Sequence, residues 1–150
     1  GEGRGAFLAG LSSFLGAHVA YVSALRARSS APLLGTPGRR RVLATGAVLA
    51  AAMGAAAARE DRALALPVAG YGATLAAMVT AAAAVDVDRG RARVLTGAWL
   101  FLVSDTLIGV RTFLLRRPAP ALDAAVMATY TAAQWWLAEG LSAPSSSVRP

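Results

Sequence analysis

Five apolar stretches, each about as long as a bilayer is thick, follow one another along this chain with short arginine-bearing segments between them. They cover residues 6 to 25, 42 to 58, 63 to 85, 94 to 115 and 121 to 141. A hydrocarbon core of about 30 Å takes roughly 20 helical residues to cross, with a range of about 17 to 25. The expected fold class is therefore all-α, a polytopic transmembrane helical bundle over residues 1–141, followed by a disordered tail over 142–150 rich in Ser and Pro. The balance of residue types agrees. Of the 150 residues, 56% are hydrophobic and 15% charged, where a soluble domain carries about a quarter charged. Such a chain cannot cover a water-facing globule, which excludes an ordinary soluble enzyme.

A net charge of +7 invites a nucleic-acid reading, but the arginines are placed as loops between spans. They cluster at Arg26, Arg28 and Arg39 to Arg41, at Arg59 and Arg62, at Arg89, Arg91 and Arg93, and at Arg116 and Arg117. No nucleic-acid partner is expected. All fifteen basic residues are arginine, and lysine and asparagine are absent, as in proteins of GC-rich bacterial genomes. There is no cysteine and one histidine, so neither a disulfide framework nor a metal centre is expected, and no cofactor is implied.

Cytoplasmic loops are enriched in Lys and Arg. The segments 26–41 and 86–93 and the tail hold nine arginines together, against five on the other side with Arg111 left within its helix. The first side is expected to be cytoplasmic, with the C-terminus there, in a bacterial inner membrane. Trp99, Trp135 and Trp136 fall at the same side, where indole rings favour the headgroup level. The first stretch is too long and too weakly preceded by basic residues for a cleaved signal peptide. The chain begins with Gly1 rather than Met and is expected to be a segment of a longer protein.

Within the second stretch Gly46, Ala50, Gly54 and Ala58 recur every four residues. That spacing lets two helix backbones approach closely, so this helix is expected at the bundle centre. Pro67 falls in the first turn of the third helix, where proline costs little.

An ionisable group in mid-span is expensive and is usually retained for function. Asp105 is the one acid so placed, about 17 Å deep by helical rise; Tyr130 and Thr74 come to about 15 and 17 Å, and His18 and Gln134 to about 10 Å. Gly10, Phe14, His18 and Tyr21 form one stripe of the first helix, Gly97, Phe101, Asp105 and Gly109 one of the fourth, and Tyr130 with Gln134 one of the fifth. Arg111 is six residues beyond Asp105, turned away from it and able to snorkel outward. Asp86, Asp88, Glu60 and Asp61 read as solvated charge balance among loop arginines, and Asp123 as a carboxylate at a helix N-terminus. Thr74 and Ser104 also suit plain interhelical hydrogen bonding.

FLAGLSSFLGAHVAY, carrying Phe7, Gly10, Phe14, His18 and Tyr21, is followed by YGATLAAM from Tyr71, by GAWLFLVSDTLIG with Ser104 and Asp105, and by MATYTAAQW with Tyr130 and Gln134. In order and spacing, from about residue 6 to 140, this resembles the YhhN or lysoplasmalogenase family of eight-helix membrane proteins. The resemblance implies hydrolysis of the vinyl-ether bond of a lysoplasmalogen or related ether lysophospholipid, giving a fatty aldehyde and a glycerophospho head group. It implies Asp105 in a carboxylate role and makes His18 a candidate to hold water or orient a partner. Tyr130 and Gln134 are candidate head-group or hemiacetal ligands, and Ser104, Tyr71 and Thr74 candidate substrate neighbours. The family also carries a Gly-Asp motif about twenty residues before the position of His18, which here would precede residue 1; five of eight helices and one of two carboxylates are then expected in this chain. The competing expectation is a non-catalytic lipid-binding or transport protein, in which the same polar layer lines a path.

Overall fold

The structure, a computed structural model, describes residues 2–115 and 120–144. Five long helices account for most of them: α1 Glu2–Ala27, α2 Pro37–Glu60, α3 Ala65–Ala82, α4 Arg91–Phe113 and α5 Pro120–Ser142, with single 3-10 turns at Arg62–Leu64 and Val87–Arg89. No strand occurs among the described residues. By length and composition four helices can cross a membrane: Gly5–Ala27, Pro37–Glu60, Arg62–Ala82 and Arg91–Phe113. The fifth expected span, α5, is as long as α4 but carries Asp123, Thr129, Thr131, Gln134 and Glu139, and does not join them on apolarity. Most of the tail, from residue 145, and the arginines at 116 and 117 lie outside the described residues.

The helices begin and end where local chemistry allows. Helix α2 starts earlier than its apolar stretch, because Thr36 caps it by accepting from Arg39 N and Pro37 supplies a preset φ at the first position. Arg39, Arg40 and Arg41 therefore stand on the first turns of a helix rather than in a loop. Gly90 precedes α4 with φ of 87°, a left-handed conformation that favours glycine. A Cβ there would also come within 2.6 Å of Gly140 O, so the turn is seated directly on α5.

Helix α3 is the hub, with α1, α2 and α4 packed around it, and α5 packs on α4. The α2–α3 seam pairs small residues in antiparallel order: Gly46 against Ala76, Ala50 against Gly72, and Gly54 against Ala65 and Ala69. The expected stripe thus sits at a backbone-to-backbone contact, with Gly46, Ala50 and Gly54 buried and Ala58 half-buried. Between helices in lipid, where no hydrophobic gain separates a leucine from a lipid tail, such close approach contributes the dispersion that holds the pair. The α4–α5 seam uses the same device at Gly97, where a Cβ would come within 2.8 Å of Leu137. Arg111 pairs with Asp123 across the far end of that seam.

The connections bearing most arginines meet at one end of the bundle. Ser30 N and Oγ donate to Asp86 Oδ1 at 3.1 and 2.9 Å, and Asp86 N donates to Arg28 O at 3.2 Å. Arg28 Nη1 donates to Leu141 O at 2.7 Å, and Arg91 Nε to Val85 O at 2.7 Å. These bonds satisfy carbonyls left open at helix ends and tie the α1–α2 connection, the α3–α4 connection and the end of α5 together. Trp99, Trp135 and Trp136 are 44%, 66% and 39% exposed, so part of each ring faces outward from the bundle.

Candidate active site

At mid-height three helices each direct one polar side chain to a common point. Tyr71 of α3 donates its hydroxyl to Asp105 Oδ2 of α4 at 2.7 Å. His18 of α1 is 1% exposed, and its Nε2 lies 3.9 Å from the same carboxylate oxygen. The tautomer follows from the other nitrogen: Nδ1 is 2.7 Å from Phe14 O, and because a carbonyl only accepts, Nδ1 carries the proton. Nε2 is then the atom free to accept or carry a second one. It is buried without a hydrogen-bond partner, so the proton relation between His18 and Asp105 is confined to this one short gap.

A second polar set lies beside the first. Tyr21 donates to Gln134 Oε1 at 2.7 Å, and Gln134 Nε2 donates to the Tyr130 hydroxyl at 3.2 Å. Phe101 stands between the sets, its ring 5.1 Å from that of His18 and 5.3 Å from that of Tyr130, both edge to face. Aromatic edges and faces attract through their quadrupoles, so Phe101 fixes the His18 and Tyr130 rings without offering either a hydrogen bond.

A cavity of about 540 Å³ opens against this layer, and Asp105, Tyr71, Tyr130 and Phe14 form part of its wall. The rest is mainly apolar, from Leu75 and Leu102 near the carboxylate to Met53, Ile108, Phe7 and Phe113 farther along. Its polar wall groups are few, and among the described residues in the wall Asp105 is the one carboxylic acid. A long apolar chamber with one carboxylate, itself oriented by a tyrosine and backed by a histidine, suits a reaction at one point of a mostly hydrocarbon molecule.

The residues named from sequence divide into three groups. Asp105, Tyr71 and Tyr130 are on the cavity wall. His18 and Gln134 are not; they stand behind it and touch Asp105 and Tyr130 respectively. Ser104 and Thr74 do not join the site. Ser104 is fully buried and donates to Val126 O on α5 at 3.3 Å, while Thr74 turns back to Gly70 O on its own helix at 3.0 Å. Both hydroxyls have a nearer carbonyl to bond, and neither residue is in the cavity wall. Tyr21 and Phe101, members of the stripes on α1 and α4, complete the layer, Tyr21 through its hydroxyl and Phe101 through its ring. The four-residue spacing from Phe101 to Asp105 was the signal for the second. Among the described residues no group of three or more His, Asp or Glu could hold a metal ion.

Helices long and apolar enough to cross a membrane, with one carboxylic acid in the wall of an apolar chamber, define a helical membrane protein. The chain belongs to the YhhN family, whose model matches residues 2–141. No curated protein and no solved structure matches it significantly.

Proposed function

We propose that this chain forms the reaction chamber of a membrane-embedded hydrolase that cleaves the vinyl-ether bond of lysoplasmalogen-type lysophospholipids. The observation that carries the reading is the Asp105 carboxyl on the wall of the apolar chamber, hydrogen-bonded by Tyr71 and backed by His18 Nε2 at 3.9 Å. Membership of the YhhN family supports it.

The chemistry asks for one proton delivered, one positive charge stabilised and one proton returned. Asp105 in its acid form gives a proton to the outer alkene carbon. The C=C pair forms the new C–H bond, leaving an oxocarbenium ion at the carbon bonded to oxygen. The carboxylate so produced faces that cation in a water-poor chamber, where opposite charges interact strongly. Water adds to the cationic carbon and loses a proton to Asp105, which restores the acid. The hemiacetal then collapses: its hydroxyl becomes the aldehyde C=O, the ether C–O bond breaks, and the glycerol oxygen leaves protonated. Tyr71 orients the carboxyl and supports its charged form; His18 is a positioning residue that holds or passes the proton behind it. Catalysis by one such group contributes about 10² to 10⁴ in rate.

The test is hydrolysis in D2O of a 1-alkenyl lysophospholipid by the protein in detergent micelles. The expected product is an aldehyde carrying one deuterium on the carbon next to the carbonyl, trapped as a hydrazone. The same chamber also supports a lipid carrier, because its wall is chiefly apolar. Movement of intact lipid between vesicles with no aldehyde would favour that reading and overturn the hydrolase.

A further inference from the structure

A second, smaller cavity of about 200 Å³ lies between α2 and α4. Arg41, Thr45 and Trp99 are in its wall, and Gly46, Leu49 and Leu102 are in the walls of both cavities. The small cavity adjoins the large one at a particular end. Along α4 the large chamber runs from Leu102 and Asp105 to Thr112 and Phe113, and along α2 from Gly46 to Met53. Asp105 is therefore at the end nearest the small cavity, while Phe7 and Phe113 line the far end. An apolar chamber, a carboxyl at its end, a leucine partition and an arginine thus follow one another along the bundle.

From these placements we infer that Arg41 is the phosphate-binding residue of the same substrate track, and that the lipid lies with its tail towards Phe7 and Phe113 and its phosphate between Arg41 and Trp99. The inference deepens the proposed function and rests on it for the identity of the lipid. Its reach fits. Arg41 is nine residues before Ala50, which faces the carboxylate level of the chamber, so the two levels differ by about 13 Å. In a single-chain glycerophospholipid the vinyl-ether carbon and the phosphorus are about 7 Å apart when extended. A close polar contact at each end adds about 3 Å apiece, which brings the total to the same 13 Å.

The electrostatics also fit. Arg39, Arg40 and Arg41 occupy the first turns of α2, which holds no acid in its first turn, and the helix N-terminus adds partial positive charge there. Among the described residues Arg41 forms no hydrogen bond or ion pair, so its guanidinium is uncommitted. Arginine presents a planar fork that matches two phosphate oxygens. Leu49 and Leu102, unbranched at Cβ, can change rotamer to join the two spaces.

The test uses binding of a saturated 1-O-alkyl lysophospholipid, which lacks the reacting double bond, so it does not depend on catalysis. Its affinity for the full chain in detergent is compared with that of the 1-O-alkylglycerol of equal chain length, by native mass spectrometry. Wild type is expected to prefer the phosphate-bearing lipid by about tenfold or more, the worth of one charge-assisted contact. Arg41→Gln is expected to remove that preference while retaining the alkylglycerol, and Arg41→Lys to keep part of it. Equal affinities in wild type, or an undiminished preference in Arg41→Gln, would overturn the inference. So would glycerol phosphate binding as tightly as the lysolipid, which would mark a free-anion site, or a two-chain phospholipid competing equally, which would mark an anchor for bulk lipid. Absence of aldehyde from the vinyl ether with the preference intact would sink the hydrolase reading alone.

Discussion

Tyr71 and Asp105 come from different helices, 34 residues apart, and meet in a 2.7 Å hydrogen bond on the wall of an apolar chamber. The bond gives the carboxyl one fixed orientation in a place with few other polar groups. Asp105→Asn keeps the size and removes the acidic proton, so aldehyde release should fall by about 10³ or more with the bundle still folded. Tyr71→Phe removes only the orienting bond. Its kcat should fall about 10- to 100-fold, the worth of a hydrogen bond to a charged group, with KM little changed. Steady-state kinetics together with thermal unfolding of both variants check this; turnover unchanged in Asp105→Asn would end the proposal.

His18 should behave differently from Tyr71, because it is buried among rings as well as near the carboxyl. Its ring contacts Tyr71 and Phe101 at centroid distances of 5.4 and 5.1 Å. His18→Ala removes those contacts and opens a hole beside them, so it should lose stability by about 2 to 4 kcal/mol. His18→Gln keeps most of the volume and an amide, and should recover most of the stability while kcat stays depressed at a near-normal KM. A KM that rises with no change in kcat would place His18 in substrate binding instead.

What sequence could show here is periodicity and depth. Apolar length marks the five helices, the placing of arginines puts the segments around 28 and 86 at one end, and the spacing of Gly46, Ala50 and Gly54 marks a face of close helix contact; its partner and the central place of α3 rather than α2 come from the structure. Depth along a helix axis cannot say which neighbour a side chain meets, however. His18 and Asp105 came out at different depths by residue counting, yet their side chains approach to 3.9 Å, because side chains lean several ångströms along the axis and helices tilt. The same limit applies to Thr74, at the right depth but with its hydroxyl bonded back to Gly70 O. Asp86 reads as solvated charge because the residue that holds it, Ser30, is 56 positions away and on another connection.

The α2–α3 seam should respond to volume in a reciprocal way. A Cβ at Gly46 would fall on the methyl group of Ala76, so Gly46→Ala should destabilise by about 1 to 3 kcal/mol through overpacking. Ala76→Gly alone should cost less than that, since it only thins the contact and adds backbone freedom. Combined, the two exchange the small and smaller partner and should restore most of the loss. A double-mutant cycle on thermal or urea unfolding in detergent measures the coupling; simple additivity of the two losses would mean that the helices do not meet there.

The clasp at the arginine-bearing end should make stability depend on acid. The backbone N–H of Ser30, together with its hydroxyl, holds the Asp86 carboxyl below the usual carboxylate range, with Arg89 and Arg91 adding to it. Its folded value is thus below the unfolded one, near 4. The sign follows: the carboxylate's contribution is full above about pH 4 and is lost as pH falls through the lower, folded value, because the unfolded chain then binds the proton more readily. In detergent the Tm of wild type should drop as pH falls from about 5 to 3. Asp86→Asn retains an acceptor for Ser30 but cannot titrate, so it should start slightly lower at neutral pH and fall less over that interval. The two proteins share every other carboxyl group, so the difference between the two curves isolates Asp86. Parallel curves would mean that the Ser30 bonds do not distinguish the charged from the neutral carboxyl, and that the bonds from Asp86 N to Arg28 O and from Ser29 Oγ to Ala84 O hold the two connections together.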